Sequence, residues 1–132
     1  MIKGIGTDII EIKRIEKAIQ KDSFLKKCFT KKELEFFQQK KYAVETIAVT
    51  FAAKEAAVKA IGTGFRGFEI NEIEVLRNEI GSPYFNFYGN FQKMCNSIEI
   101  DTIHVSLSHC KEYAVAFAVA EGGMKNESST TK

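Results

Sequence analysis

The sequence predicts an α+β fold in which an antiparallel sheet packs on a long buried helix. Three observations carry that expectation. One strand pattern opens the chain at residues 2–10 and a block of helical patterns follows it. Four short strand patterns then succeed one another as hairpins, which favours α+β over a doubly wound arrangement. Residues 47–61, IAVTFAAKEAAVKAI, hold eleven apolar residues in fifteen. A helix apolar nearly all round belongs in an interior.

Each element has a local reason. Along 2–10, strand alternation sends Ile5, Thr7 and Ile9 to one side and Gly4, Gly6, Asp8 and Ile10 to the other. Residues 11–21 read as a helix with Ile12, Ile15 and Ile19 on its core stripe, while Lys13, Lys17 and Lys21 recur every four residues on another face beside Arg14. A short helical turn holds Phe24 and Leu25. Thr30 begins TKKE, a capping box closed by Glu33, and opens a helix to about Gln39. The buried helix spans about 43–60, and the GTG at 62–64 ends it, because glycine readily takes the left-handed conformation at a helix terminus. Strands are expected at 71–78 and 83–88 around the turn Gly81–Ser82–Pro83. A short helix is expected at 91–95, and strands at 102–108 and 113–120.

Length and composition set bounds. The 132 residues suit one domain, read as 1–121, followed by a polar, glycine-led tail at 122–132 expected to be disordered. With 45% apolar and 27% charged residues the chain reads as an ordinary soluble protein. A net charge of +2, with no stacking aromatics interleaved among the basic residues, argues against nucleic acid. No apolar run is long enough to cross a membrane, and the first residues do not read as a secretory segment. Three scattered cysteines, Cys28, Cys95 and Cys110, fit free thiols in a reducing cytoplasm.

The chemistry concentrates in a few charged residues in apolar surroundings. Lys54, Glu55 and Lys59 lie in the buried helix, where a charge is costly unless it is paired or bound to a ligand. Glu55 and Lys59, four apart, also suit an ordinary helical ion pair. Asp8 sits among isoleucines in a strand, where aspartate is depleted. Gly4 and Gly6 on its side allow a ligand or another backbone to come close; the alternative for Asp8 is a cap on the next helix. Asp8 and Glu55 together offer hard oxygen ligands of the kind magnesium takes, with waters and substrate phosphates completing its shell. No His/Cys cluster has zinc spacing. The GTG can cradle phosphate through its N–H groups, though a helix cap explains it equally. No Walker motif is present. In HVSLSH at 104–109, His104, Ser106 and Ser108 share one face, suited to phosphate or ribose contacts or simply to solvent. His109 falls where the strand ends. No nucleophile elbow or third triad member accompanies this Ser–His proximity.

Taken together, GIGTDIIEIKRI at 4–15, FAAKEAAVKAIGTG at 51–64 and HVSLSHCKEYAVA at 104–116 resemble the holo-acyl-carrier-protein synthase family, the small bacterial phosphopantetheinyl transferases. The resemblance covers about residues 1–120. It implies the 4'-phosphopantetheinyl transferase fold, a homotrimer with sites between subunits, and transfer of the 4'-phosphopantetheine arm of coenzyme A to a serine of apo-acyl carrier protein, serving fatty acid biosynthesis. Asp8 and Glu55 match the family's magnesium ligands, and Lys59 the lysine near the pyrophosphate. Gly62, Thr63 and Gly64, with Ser106, Ser108 and His109, match its coenzyme A-binding regions. Lys13, Arg14, Lys17 and Lys21 become a docking stripe for the acidic carrier. Two positions depart from relatives: Thr50 stands where many have arginine, and Ser82 where the turn often carries lysine. The rival expectation is a non-catalytic module that binds coenzyme A or a carrier protein.

Overall fold

The computed structural model describes residues 1–64 and 67–123. In order, these form β1 (Ile2–Glu11), α1 (Ile12–Ala18), α2 (Asp22–Cys28), α3 (Lys31–Gln39), α4 (Val44–Ile61), a 3-10 turn (Ile70–Glu72), β2 (Ile73–Arg77), β3 (Pro83–Phe87), α5 (Gly89–Ser97), β4 (Thr102–His109) and β5 (Tyr113–Glu121). The order of elements is the expected one. The strands divide into two antiparallel sheets, a three-stranded one ordered β1-β5-β4 and the separate hairpin β2-β3. The first helix stops at Ala18, short of the expected 21, because Gln20 and Lys21 bond three residues back in a tightening turn. Of the tail expected from Gly122, residues 124–132 lie outside the described residues; Gly122 donates its N–H to the Met1 carbonyl.

Small side chains explain why α4 can lie on the sheet. The inward positions of β5 are Ala114, Ala116, Ala118 and Ala120, all fully buried. Those of β1 include Gly4 and Gly6, and α4 presents Ala52, Ala53, Ala56 and Ala60. Small surfaces on both sides let the backbones approach. A Cβ at Gly6 would collide with the carbonyl oxygen of Ala56, and one at Gly4 with that of Ala60. The close approach anticipated beside Asp8 is therefore that of helix α4. Gly6→Ala is expected to cost about 1–3 kcal/mol through overpacking. It should also lower activity beyond what unfolding explains, since Asp8 lies two residues on. Thermal denaturation alongside activity checks this, and an unchanged melting temperature would contradict the contact.

Buried polar groups anchor the other side of α4. Thr30 and Glu33 form the expected capping box of α3. Glu33 is itself buried, and its Oε1 accepts from Lys54 Nζ at 2.6 Å while Oε2 accepts from the Val75 N–H at 2.7 Å. Lys54 Nζ donates also to the Cys28 carbonyl at 2.6 Å and lies over the Phe29 ring. Thr30 and Tyr88 donate hydroxyls to buried Glu74. Burial alone would raise the Glu74 pKa, but its side-chain hydrogen bonds outweigh burial and lower it. Cys28 and Cys95 are free and buried, and burial pushes the Cys95 thiol up to about 11, which suits core packing rather than reactivity.

Candidate active site

Asp8 is brought to α4 by the alternation of β1 and by Gly6 beside it. Lys59 Nζ donates to Asp8 Oδ1 at 3.0 Å and to the Thr7 carbonyl at 3.1 Å. The Asp8 side chain is only 14% exposed, whereas that of Lys59 is 54% exposed and open to a ligand. Asp8 lies within the strand, and the residue preceding α1 is Glu11, so Asp8 caps no helix.

Glu55 lies one helical turn before Lys59 and is half-buried. Its pKa is raised, first by burial and then by the negative charge of Asp8, against the opposing charges of Lys59 and Arg14. Asp8, Glu55, Lys59 and Arg14 thus form one electrostatic cluster joining β1, α1 and α4. The ion pair that the i,i+4 spacing suggested for Glu55 is absent, because Lys59 reaches Asp8 instead. Lys54, the neighbouring charge, turns inward to Glu33 and takes no part.

Two carboxylates, one of them without a cation on it and held where its charge is disfavoured, suit a hard divalent cation. Among the described residues no group of three or more His, Cys, Asp or Glu could hold a metal. A metal here would therefore take two protein oxygens and draw the rest of its shell from water or substrate phosphate.

The remaining expected residues occupy several places. Gly62 ends α4 in the left-handed conformation with φ of 76°, so the Gly62–Thr63–Gly64 loop begins one turn past Lys59. Ser106 and Ser108 are exposed on the outer face of the sheet, opposite the side that carries Asp8. His109, at the end of β4, lines a cleft of about 500 Å³ together with Ser108, Lys40, Arg77, Phe36 and Pro83. Arg14, Lys17 and Lys21 line a shallow depression of about 460 Å³ with Ala18 and Phe24. Lys13 is exposed on the same helix but outside that depression. A further cleft, about 570 Å³ between β3 and β4, contains none of Asp8, Glu55 or Lys59.

Thr50 is buried and its hydroxyl donates to the Thr46 carbonyl at 2.8 Å. Ser82 is exposed in the β2–β3 turn, its N–H held by Asn78 Oδ1. Neither presents a cation. Arg77 and Lys40 line the same cleft as His109, and the sequence did not single them out. A charged residue closing the apolar run of β2, IEVLR, was the available signal for the first; nothing local marks the second.

A family model described as the 4'-phosphopantetheinyl transferase superfamily matches residues 4–118. The chain is 52% identical over 124 residues to a holo-[acyl-carrier-protein] synthase of Clostridium beijerinckii, covering 92% of this chain and 98% of the relative. Among solved structures, the holo-[acyl-carrier-protein] synthase of Neisseria meningitidis matches at 36% identity with a TM-score of 0.85, over 92% of this chain and 99% of that one. The Bacillus anthracis holo-(acyl-carrier-protein) synthase, in complex with CoA (3',5'-ADP), matches at 37% identity with a TM-score of 0.77, over 93% and 99%.

Proposed function

The chain belongs to the 4'-phosphopantetheinyl transferase superfamily, and from that membership we propose that it transfers the 4'-phosphopantetheine arm of coenzyme A to a serine of apo-acyl carrier protein, in the service of fatty acid biosynthesis. The observation that carries the reading at the level of residues is the meeting of Asp8 with Lys59 and Glu55 across the β1–α4 contact. The carrier serine attacks the phosphorus on the pantetheine side of the pyrophosphate. The bond to the adenosine side breaks, and adenosine 3',5'-bisphosphate leaves.

Asp8 and Glu55 would hold magnesium. When bound, it supplies Lewis-acid polarisation of the phosphate oxygens and neutralises their charge. Lys59, paired with Asp8 yet half exposed, offers its ammonium to the same phosphates and to the charge that develops on the leaving group. The loop after α4 adds the N–H groups of Thr63 and Gly64 beside it, that of Gly62 being donated to the Lys59 carbonyl. Catalysis of this kind rests on positioning and electrostatics. Arg14, Lys17 and Lys21 dock the carrier, with Lys13 adding charge that steers the encounter. An acidic helical partner would set apolar side chains against Ala18 and Phe24 and carboxylates against the basic rim.

The protein acts as a homotrimer. Support comes from the outer face of the three-stranded sheet, where Ile5, Ile9, Tyr113 and Phe117 are all at least 40% exposed. These rows continue into Ser106 and Ser108, since Phe117 pairs with Ser106, and Ile9 reaches Ser108 through Val115. An apolar face of this kind marks an interaction site. Its burial between copies would carry the two serines to a subunit seam, and Asp8 and His109 lie on opposite edge strands of the sheet. Phe117→Glu is expected to yield monomers that remain folded and transfer at least about tenfold more slowly, since a charge is forced into the apolar contact. Light scattering after size exclusion checks it, and a persisting trimer would refute the assignment of the face. Among the described residues no helix is long and apolar enough to cross a membrane. With its free thiols, the protein is assigned to the cytoplasm.

Intact mass spectrometry tests the reaction. Apo-acyl carrier protein incubated with the enzyme, coenzyme A and magnesium should gain one phosphopantetheine, and the gain should vanish with chelator. No gain from a folded enzyme and a cognate carrier would overturn the reading.

A further inference from the structure

The charges gathered at the β1–α4 contact balance one another. Asp8 and Glu55 are the anions, and Lys59 and Arg14 the cations that oppose them. Lys59 Nζ stands 3.0 Å from Asp8 Oδ1 and 3.1 Å from the Thr7 carbonyl, so an ammonium already lies on one of the two carboxylates that a metal would take. Arg14, on α1, acts on Glu55 from the other side of the cluster, more weakly than Lys59 does. The Asp8 side chain is only 14% exposed and Glu55 is half-buried, so water and salt screen these charges less than at an open surface.

A balanced cluster has little to offer a free dication. Added alone, the ion would meet the Lys59 ammonium at Asp8 and leave its own charge uncompensated in a part-buried place, which is costly. The pyrophosphate link of coenzyme A carries a negative charge on each phosphate. Brought in with the ion, it restores the balance and gives the ammonium a second anion to turn to. Lys59 is free to make that turn. Its side chain is 54% exposed on a flexible four-carbon stem, whereas that of Lys54 is wholly enclosed.

We propose that Lys59 and Arg14 keep the free divalent cation out and make the enzyme take its metal together with the pyrophosphate of coenzyme A, so that metal and donor bind as a mutually dependent pair. This rests on the reading of Asp8 and Glu55 as metal ligands. It gives the two cations a part in selecting the form of metal that enters, separate from any action on the leaving group. Linkage makes the dependence reciprocal: the factor by which donor tightens metal is the factor by which metal tightens donor.

Calorimetric titration with Mn2+ tests it, without carrier, so that nothing is transferred. Each protein is titrated alone and with saturating coenzyme A, after correction for Mn2+ held by coenzyme A in buffer. Wild type should bind Mn2+ at least about tenfold more tightly with the donor present. Lys59→Met should bind Mn2+ alone at least about tenfold more tightly than wild type, and the gain brought by coenzyme A should shrink. Lys59→Arg, which keeps the charge, should behave as wild type. Arg14→Gln should shift in the same direction as Lys59→Met by less. Equal Mn2+ binding by wild type with and without coenzyme A, or no tightening in Lys59→Met, overturns the proposal and leaves the metal ligands standing. Both cations are exposed; if Lys59→Met does not fold, Arg14→Gln decides by the same comparison. Asp8→Asn should abolish Mn2+ binding in the presence of donor. Undiminished binding there would strike the metal reading, and the proposal with it.

Discussion

Asp8→Ala and Glu55→Ala are each expected to slow carrier modification by about a thousandfold or more while leaving the fold intact. The magnitude follows from what the carboxylates do. A metal clamp on a reacting phosphate contributes several kcal/mol to the transition state, and each ~1.4 kcal/mol is a factor of ten. Among the described residues no third carboxylate, His or Cys joins these two, so neither loss has a substitute. Stability separates chemistry from folding. The Glu55 pKa is raised by burial and then by Asp8, so the folded chain binds this proton more readily than the unfolded one. The associated stability is full below the unfolded-state pKa and is lost as pH rises through the raised folded value. At neutral pH and without metal, ionised Glu55 therefore destabilises the protein. Glu55→Gln should raise the melting temperature in chelator-treated neutral buffer, and the gain should fade on acidification toward the ordinary carboxylate pKa. Differential scanning calorimetry at the two pH values reads this directly. A variant that is inactive and also markedly less stable at neutral pH would make Glu55 a structural residue.

The parts of the site that could be read from sequence are those governed by local periodicity. Alternation in residues 2–10 placed Asp8 with Gly4 and Gly6, and that side does meet α4. The near-uniform apolarity of residues 47–61 marked α4 as interior, and Thr30 with Glu33 marked the start of α3. Periodicity carries no information about partners far along the chain. It could not show that Lys59 would reach Asp8 across 51 positions rather than Glu55 across four. Nor could it show that the capping residue Glu33 has a second role against Lys54. The division of the strands into two sheets was hidden for the same reason, because alternation identifies a strand and not its neighbour. The placement of Arg77 over Phe36 and against the wall formed by β4 was hidden likewise, because those residues are distant in sequence.

The largest loss of stability is expected at Lys54. Lys54→Met should destabilise the protein by about 3–5 kcal/mol, since removing one partner of a buried pair leaves the other uncompensated. For a chain of this size that lowers the melting temperature by more than about 10 °C. The pair is wholly enclosed, both side chains having 0% exposure. Burial raises the Glu33 pKa, while Lys54 is foremost among the groups that hold it down. Without Lys54 the folded-state pKa of Glu33 climbs further above its unfolded value. Stability is then full below the unfolded pKa and lost as pH rises through the folded one, so the deficit against wild type should shrink on acidification. Chemical denaturation at neutral and mildly acidic pH measures it. A deficit under about 1 kcal/mol, or one that grows toward acid, would show that the pair does not act this way. The consequence reaches the chemistry through geometry. The Lys54 ammonium ties α4 to the end of α2 through the Cys28 carbonyl and to α3 through Glu33, which in turn holds β2 at Val75. Successive helical residues point about 100° apart, so anchoring Lys54 inward fixes the direction of Glu55, the next residue, toward Asp8. The buried pair thus sets the rotation of the helix on which Glu55 and Lys59 are carried, and its loss should lower activity even in the fraction that remains folded.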